Sequence, residues 1–144
     1  MRQPPDLETF CAFFNKLDKT CTTQLNEVYT DDVDFTDPLH HIEGRSALEA
    51  YFRTLYDNVT SCHFTFHTTV LQGDTAFVTW TMHLVHPRLD GGRVVEVEGC
   101  SHLLFAKDGR VARHRDYFDA GAMLYERLPL LGSTIRWVKR QLSR

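Results

Sequence analysis

Several polar side chains with proton-transfer chemistry lie on segments that alternate like β-strands. On the last such segment, His114 and Asp116 share a face with Phe118, because successive side chains of a strand point to opposite sides. On an earlier segment, Thr81 and His83 share a face in the same way. Carboxylates and imidazoles are the groups that most often exchange protons with a bound molecule. Acid/base catalysis is therefore the chemistry that these residues could perform.

A further carboxylate, Asp37, stands directly before Pro38. The proline disfavours helical geometry at the preceding residue, so Asp37 is predicted to end a strand or to open a turn. Each acid also has a purely structural interpretation. Asp-Pro is a common turn signal, and Asp116 could form an ion pair with Arg113 or Arg115. His83 could likewise be an ordinary hydrogen-bonded sheet histidine.

Metal and cofactor sites are not predicted. His40 and His41 are adjacent, but neighbouring side chains in a loop diverge, and no third ligand near them is evident in the sequence. The cysteines are scattered without the spacing of zinc sites, which favours small buried apolar side chains in a reducing, cytoplasmic setting. These cysteines are Cys11, Cys21, Cys62 and Cys100.

Helical spacing dominates the first part of the chain. Asp6 is predicted to cap a helix whose apolar positions include Phe10, Phe13 and Phe14. A second short helix is predicted near 22–29, and a third begins at a capping box formed by Ser46 and Glu49. A last helix is predicted from about Ser133.

The remaining chain is rich in Val, Thr, Phe and Trp and is divided by Gly-Asp and Asp-Gly turns. Four long antiparallel strands are predicted, at 62–71, 76–86, 94–106 and 110–118. Helices followed by a meander of strands give an α+β class, in which the helices cover one face of a curved sheet.

Size and charge limit the function classes. The chain has 144 residues, 42% of them hydrophobic and 24% charged, with a net charge of -3. We therefore expect a single domain spanning 1–144 and no nucleic-acid partner. The start of the chain lacks the features of a signal peptide, and no apolar run is long enough to span a membrane.

The C-terminal segment, 129–144, is predicted to be a basic helix appended to this domain. It carries cations and no acid. Through Trp137 such a helix could touch a membrane surface. Packing of its apolar stripe on the domain or on a second subunit is the favoured interpretation.

Three segments resemble the NTF2-like superfamily, which includes steroid delta-isomerases, limonene-epoxide hydrolase and SnoaL-type polyketide cyclases. They are DDVDFTDP at 31–38, EGRSALEAYF at 43–52 and RHRDYFD at 113–119. The resemblance covers roughly residues 6–125. It implies a cone, in which a curved antiparallel sheet wraps around N-terminal helices, with an extra C-terminal helix. It also implies a homodimer formed through the open face of the sheet.

The resemblance also assigns roles to individual residues. Asp37 matches the carboxylate with which steroid isomerases move a proton between carbons, and Phe13 and Ser101 match their oxyanion-hole positions. Asp116 matches the acid that activates water in the epoxide hydrolase and acts as acid/base in the cyclases. Ungapped matching to the other polar positions of the hydrolase gives Phe35, Asp37, Thr81 and His83.

The expected site is an apolar pocket with three catalytic candidates at its polar centre: Asp37, His83 and Asp116. Two carboxyls in one poorly hydrated cavity should raise the pKa of at least one of them. The resemblance implies a hydrophobic, carbonyl-bearing ligand and isomerase, cyclase or hydrolase activity. The alternative is a non-catalytic dimerisation or interaction module whose cone is filled by its own aromatic side chains. The expected ligand-binding residues are Phe13, Phe35, Tyr51, Phe64, Thr81, Ser101, His114 and Phe118.

Overall fold

We analysed a computed structural model of the chain, which describes residues 3–17, 22–123 and 129–143. Its helices are α1 (Leu7–Lys16), α2 (Arg45–Asn58), α3 (Ala120–Met123) and α4 (Pro129–Leu142), with short 3-10 turns at Thr22–Glu27 and Asp90–Gly92. Its strands are β1 (Tyr29–Thr36), β2 (His41–Glu43), β3 (Ser61–Gln72), β4 (Thr75–Val85), β5 (Val95–Phe105) and β6 (Val111–Phe118).

The strands form one six-stranded sheet in the order β2-β1-β6-β5-β4-β3. Strands β3 to β6 are a simple antiparallel meander, as predicted. The first strand departs from the prediction, because β1 pairs with β6 in the parallel sense and places Thr36 beside Arg115. The sheet is therefore mixed, although its four long strands are antiparallel. This pairing brings the end of β1 next to the end of β6.

Helices α1 and α2 lie against the inner face of the curved sheet and supply much of the core. Helix α1 begins as predicted, since the Asp6 carboxylate accepts a hydrogen bond from the Thr9 backbone N–H at 3.1 Å. It buries Phe10, Phe13 and Phe14. The inner face of β4 contributes alternate residues, because every second side chain of a strand points the same way. Those residues are Ala76, Val78, Trp80, Met82 and Leu84, all buried.

Three local predictions differ from the structure. Helix α2 begins after Gly44, whose φ of 93° is a left-handed value open to glycine, and the predicted capping box at Ser46 does not form. The helix near 22–29 is a 3-10 turn ending at Glu27. The last helix begins at Pro129, before Ser133, because proline is well accommodated in a first helical turn.

Helix α4 packs loosely on the rest of the protein. Trp137, Val138 and Leu142 are all exposed, and Leu142 is 81% exposed. The Lys139 ammonium binds the Asp119 carboxylate at 3.0 Å and so joins the helix to the end of the sheet. Arg144 of the predicted basic segment lies outside the described residues. Within the described ranges, no helix combines the length and apolar character needed to cross a membrane.

Candidate functional site

The inside of the cone contains a cavity of about 400 Å³ between helix α2 and the inner face of the sheet. Its walls are mostly aromatic and aliphatic. The aromatic side chains that line it include Phe14, Phe35, Tyr51, Phe52, Phe64, Trp80 and Phe118. These rings surround the space without filling it, so the cone is not closed by its own aromatics.

Asp116 reaches this cavity from β6 and is held firmly on one side. Its Oδ1 accepts a hydrogen bond from the Ser101 hydroxyl at 2.5 Å and lies 2.6 Å from Nε2 of His114. Ser101 is in turn fixed by the Trp80 indole N–H, which donates to its Oγ at 2.9 Å. The side chain of Asp116 is 17% exposed. Within the described part of the chain, Oδ2 of Asp116 has no hydrogen-bond partner, so this oxygen is available to a bound molecule.

His114 lies beneath Asp116 and is itself fully enclosed, with 2% of its side chain exposed. Its Nδ1 lies 2.7 Å from the Tyr29 hydroxyl. Burial, followed by the nearby charge of Asp116, holds the pKa of Tyr29 well above its usual range, so the phenol keeps its proton. Tyr29 can then donate to Nδ1, which leaves Nε2–H of His114 to donate to Asp116. The chain of hydrogen bonds orients the carboxylate.

Asp37 lines the same cavity from the turn after β1, but its oxygens are occupied. Oδ1 accepts the backbone N–H groups of Leu39 and His40 at 2.8 and 2.7 Å, and Oδ2 accepts the Tyr51 hydroxyl at 2.7 Å. The side chain is 7% exposed. The turn interpretation of Asp37 and its place on the cavity are thus both seen, since the backbone bonds close the turn at Pro38.

The two carboxylates act on one common neighbour, Tyr51. Burial is the largest cause that raises the pKa of Tyr51 well above its usual value, and the hydrogen bond and charge of Asp37 and the charge of Asp116 add to it. Asp37 and Asp116 also line a second depression, together with Pro38, Arg115, Tyr117 and Phe118. The carboxylates therefore stand where the apolar cavity meets a more polar opening at the end of β1.

The predicted inward position of Thr81 and His83 is wrong. Both project from the outer face of the sheet, because the buried Trp80 and Met82 take the inner face of β4. Thr81 bonds to His67 at 2.8 Å. His83 lies 3.2 Å from the Thr65 hydroxyl and 3.5 Å from Glu96, which makes it the hydrogen-bonded sheet histidine of the alternative interpretation.

The other predicted ligand-binding residues divide into two groups. Phe35, Tyr51, Phe64 and Phe118 line the cavity directly. Phe13 lies in the core against Phe14, with ring centroids 5.2 Å apart, and does not line the cavity. Ser101 and His114 contact Asp116 from behind, as described above, and also do not line it.

His41 has neighbours that the sequence did not suggest. Its Nε2 lies 2.9 Å from Asp34 and 3.9 Å from Glu43, on the paired strands β1 and β2. The expectation that no third metal-ligating group lies near this histidine is therefore wrong. The hydrogen bond to Asp34 is the largest cause that raises the pKa of His41. This exposed cluster is accounted for as a histidine–carboxylate pair across the two strands.

Sequence reasoning missed two functional neighbours of Asp116. Tyr29 was not singled out, because it stands at the start of β1, 85 residues from the His114 that it contacts. Trp80, which holds Ser101, was not singled out either. A signal for Trp80 does exist, since it lies directly across from Gly99, and a glycine opposite a large ring often marks a close approach.

Comparisons with known proteins identify the family and the fold of this chain. Residues 7–114 match the family model described as "SnoaL-like domain". No curated protein sequence matches this one at a significant level.

Among solved structures, a protein from Jannaschia sp. CCS1 with a provisional assignment as a SnoaL-like polyketide cyclase is 18% identical, with a TM-score of 0.70 over 82% of this chain and 88% of that one. A Catenulispora acidiphila protein with a ketosteroid isomerase-like fold, in complex with trimethylamine, is 14% identical, with a TM-score of 0.72 over 88% of this chain and 96% of that one. TerC, co-crystallised with polyporic acid, is 16% identical, with a TM-score of 0.71 over 83% of this chain and 95% of that one. At these identities the likeness concerns the fold, which is the NTF2-like cone.

Proposed function

The chain belongs to the SnoaL-like domain family, and on that premise we propose that it binds a hydrophobic, carbonyl-bearing small molecule in the cavity and carries out acid/base chemistry on it. Asp116 is the general acid/base. The reaction is a proton transfer at a carbon beside the carbonyl, as an isomerase or a cyclase requires.

The observation that carries this proposal is the asymmetric environment of Asp116. One of its oxygens is fixed by Ser101 and His114, the other has no hydrogen-bond partner among the described residues, and the side chain lines the cavity. A positioned carboxylate with one available oxygen in an apolar space can take a proton from a bound ligand and return it. Asp37 is less suited to this role, because three donors already occupy its two oxygens.

The residues around Asp116 limit which class of reaction the site can catalyse. Phe13 is a core side chain without a polar group, and the Ser101 hydroxyl donates to Asp116. Neither residue is therefore free to donate to a developing enolate, as an oxyanion hole must. We propose a reaction of the cyclase type, in which the acid/base carries more of the catalysis, in preference to steroid isomerisation.

The fold of this chain is compatible with a bound small molecule. The related structure from Catenulispora acidiphila is a complex with trimethylamine, and TerC was co-crystallised with polyporic acid. A cavity of about 400 Å³ falls within the range of small-molecule sites, which are mostly apolar with a few polar groups. These points support ligand binding over an interaction module with a filled cone.

A two-stage experiment tests the proposal. Thermal-shift screening of terpenoids, steroids and polyketide-like ketones first identifies ligands, and each is then assayed for proton exchange with solvent deuterium and for conversion. The Asp116→Asn variant should keep the hydrogen bonds from Ser101 and His114 and should bind the ligand, but it should lose turnover by about 10²-fold or more.

Glu27→Gln is the matched control, since it also removes one carboxylate but at an exposed position away from the cavity. It should leave binding and turnover unchanged. Unchanged turnover in Asp116→Asn would remove Asp116 from the mechanism.

A homodimer through the outer face of the sheet is part of the proposal. That face exposes Phe77 and Tyr117, which are 43% and 49% exposed. On this face the acids of β5 do not lie directly across from the arginines of β6. Glu98 of β5 lies across from Thr81 of β4, and Arg115 of β6 lies across from His102 of β5. A two-fold axis could place the arginines of one copy on the acids of its partner. Sedimentation velocity tests this arrangement, and a monomer at all concentrations would contradict it.

We also propose a reducing, cytoplasmic setting. Cys11, Cys62 and Cys100 are free thiols, which is typical of reducing compartments. Cys62 is buried as predicted, whereas Cys11 and Cys100 are only partly buried. Cys21 lies outside the described residues.

A further inference from the structure

We infer that the cavity selects a ligand that carries an organic ammonium group within its hydrophobic frame. This inference rests on the proposed function, because it specifies the charge of the molecule that the same cavity binds. It follows from three features of the cavity, which are its rings, its carboxylates and the residue types absent from its lining.

The aromatic rings that line the cavity form two groups of neighbours. In one group, the Phe35 ring centroid lies 5.8 Å from that of Tyr51 and 5.7 Å from that of Phe52. The face of an aromatic ring carries partial negative charge, and it attracts a cation within about 6 Å.

In the other group, the ring centroids of Phe64 and Trp80 lie 5.2 Å apart, and those of Trp80 and Phe118 lie 6.3 Å apart. Indole is the most effective ring of this kind. A cavity lined by both groups of rings is thus a suitable enclosure for an alkylammonium group.

The carboxylates give the same space a negative potential. Asp37 and Asp116 both line it and are largely withdrawn from water, with 7% and 17% of their side chains exposed. Their joint effect on the pKa of Tyr51 indicates that both charges act on one region of the cavity. Charges in a poorly hydrated site are weakly screened and therefore act strongly on a bound ion.

No lysine or arginine is found among the described residues that line the cavity. The groups there that can become cationic are His40 and His86. The Nδ1 atom of His86 accepts the Arg88 backbone N–H at 3.0 Å. His40 is half-exposed and lies 3.4 Å from Asp37 at the rim. Apart from the contact between His40 and Asp37, no cationic side chain of the described lining offsets the negative charge of the two carboxylates.

Arg115 is positively charged and would favour an anionic ligand. It lines the second depression, where its guanidinium lies 5.0 Å from the centroid of the Tyr117 ring, and it does not line the apolar cavity. An anionic ligand would have to pass both carboxylates to reach it from the cavity. The position of the charges therefore favours an ammonium ligand. A cavity that prefers an anion would contradict the inference.

Three probes of matched shape test the inference. They are meta-hydroxyphenyltrimethylammonium, its neutral isostere meta-tert-butylphenol, and the anion meta-hydroxybenzenesulfonate. Binding is followed by quenching of Trp80 fluorescence in a Trp137→Phe background, because the chain has 2 tryptophans and Trp137 is exposed on α4. Isothermal titration calorimetry on the unmodified chain provides an independent dissociation constant.

The ammonium probe should bind about tenfold more tightly than the isostere, or better, and the anion should bind most weakly. Asp37→Asn and Asp116→Asn should each reduce this ratio by about threefold or more, while Glu27→Gln should leave it unchanged. In each asparagine variant the remaining oxygen can accept the hydrogen bonds that Oδ1 now accepts, whereas in Asp37→Asn the amide NH2 would have to donate to the Tyr51 hydroxyl. Unfolding temperatures verify that both variants fold. The probe comparison on the unmodified chain stands even if a variant does not fold.

An isostere that binds as tightly as the ammonium probe would overturn the inference, as would an ammonium preference that survives in both asparagine variants. No binding of the ammonium probe would do the same. These outcomes are separate from failure of the proposed function. If meta-tert-butylphenol quenches Trp80 but the ammonium probe binds no better, the inference falls and the proposed function stands. If no carbonyl compound binds or turns over, the proposed function falls whatever the probes do.

Discussion

Nε2 of His114 lies 2.6 Å from Oδ1 of Asp116, and these two side chains occupy different environments. His114 is enclosed among aromatic rings and stacks on Tyr29 with an interplanar angle of 14°. Asp116 lies two residues further along β6 on the same face, and it lines the cavity. The imidazole is thus the rigid support of a carboxylate whose other oxygen is available to a ligand.

Removal of His114 should destabilise the protein. His114→Ala leaves a void beside Phe10 and Phe35 and removes the partner of the buried Tyr29 hydroxyl. We expect a loss of about 2–4 kcal/mol in the free energy of unfolding, measured by urea denaturation. His63→Ala on the exposed outer face is the control and should change stability by less than about 0.5 kcal/mol. Equal effects of the two variants would contradict the supporting role of His114.

A methyl group at Gly99 should displace Trp80. A Cβ added to Gly99 would collide with the Trp80 ring, which crosses over this glycine. Because Trp80 also donates to Ser101, Gly99→Ala should cost about 1–3 kcal/mol and loosen Asp116. Unfolding curves measure the first effect and Trp80 fluorescence in the Trp137→Phe background measures the second. Gly73→Ala is the control for loss of a glycine without a clash. An added Cβ meets nothing there, and any loss of stability comes from the strained backbone at a φ of 59°. An unperturbed Trp80 spectrum in Gly99→Ala would count against this packing.

The thiol of Cys62 should react slowly near neutral pH. Burial raises its pKa to about 11, and the thiolate is the reactive species. In a variant with Ser at Cys11, Cys21 and Cys100, the rate of modification by a disulfide reagent should be low at pH 8 and should rise as the pH approaches 11. Cys62 lines the cavity, so a bound ligand should slow the reaction further. Fast modification at pH 8 that no ligand slows would contradict the burial of this thiol.

The contact between Asp119 and Lys139 should stabilise helix α4 in a pH-dependent way. The backbone N–H of Ala122 and then the Lys139 ammonium lower the pKa of Asp119. A lowered pKa in the folded state adds stability above the unfolded pKa of about 4, and this stability is lost as the pH falls through the folded value. Asp119→Asn should therefore be less stable than the parent at pH 7, by less than about 1 kcal/mol since the pair is exposed, and equal to it at low pH.

Limited trypsin digestion gives a second measurement of the same contact. Release of α4 should speed cleavage after its arginines in Asp119→Asn at pH 7. Asp32→Asn, an exposed acid on β1 far along the chain from this contact, is the control and should be digested like the parent. Identical digestion of all three proteins would show that the pair does not hold the helix.

Much of this fold could be predicted because local signals and tertiary structure agree. Asp6 is a helix cap in both, and the four long strands follow alternation and turn residues. The parallel pairing of β1 with β6 could not be predicted from local patterns, because it depends on residues far apart in sequence. Strand β2 has 3 residues, too few for alternation to be recognised.

The error at His83 has a specific physical origin. Ungapped matching to a distant family assigns a strand residue to a position, and a shift of one residue reverses the face on which it lies. The sequence itself carried the better signal, since Val78, Trp80 and Met82 are the apolar set of β4 and take the buried face. Asp116 lines the cavity, and its neighbours in alternation, His114 and Phe118, lie on the same face of β6.

The partnership of the first strand with the last has a consequence for biosynthesis. Asp37 follows β1 and Asp116 belongs to β6, which emerges from the ribosome about eighty residues later. Until then β1 and β2 have no edge to join, because their neighbour in the sheet is β6 itself. The ligand chamber therefore cannot form on a nascent chain that has not yet delivered this strand, and the protein is expected to gain its binding capacity only late in translation.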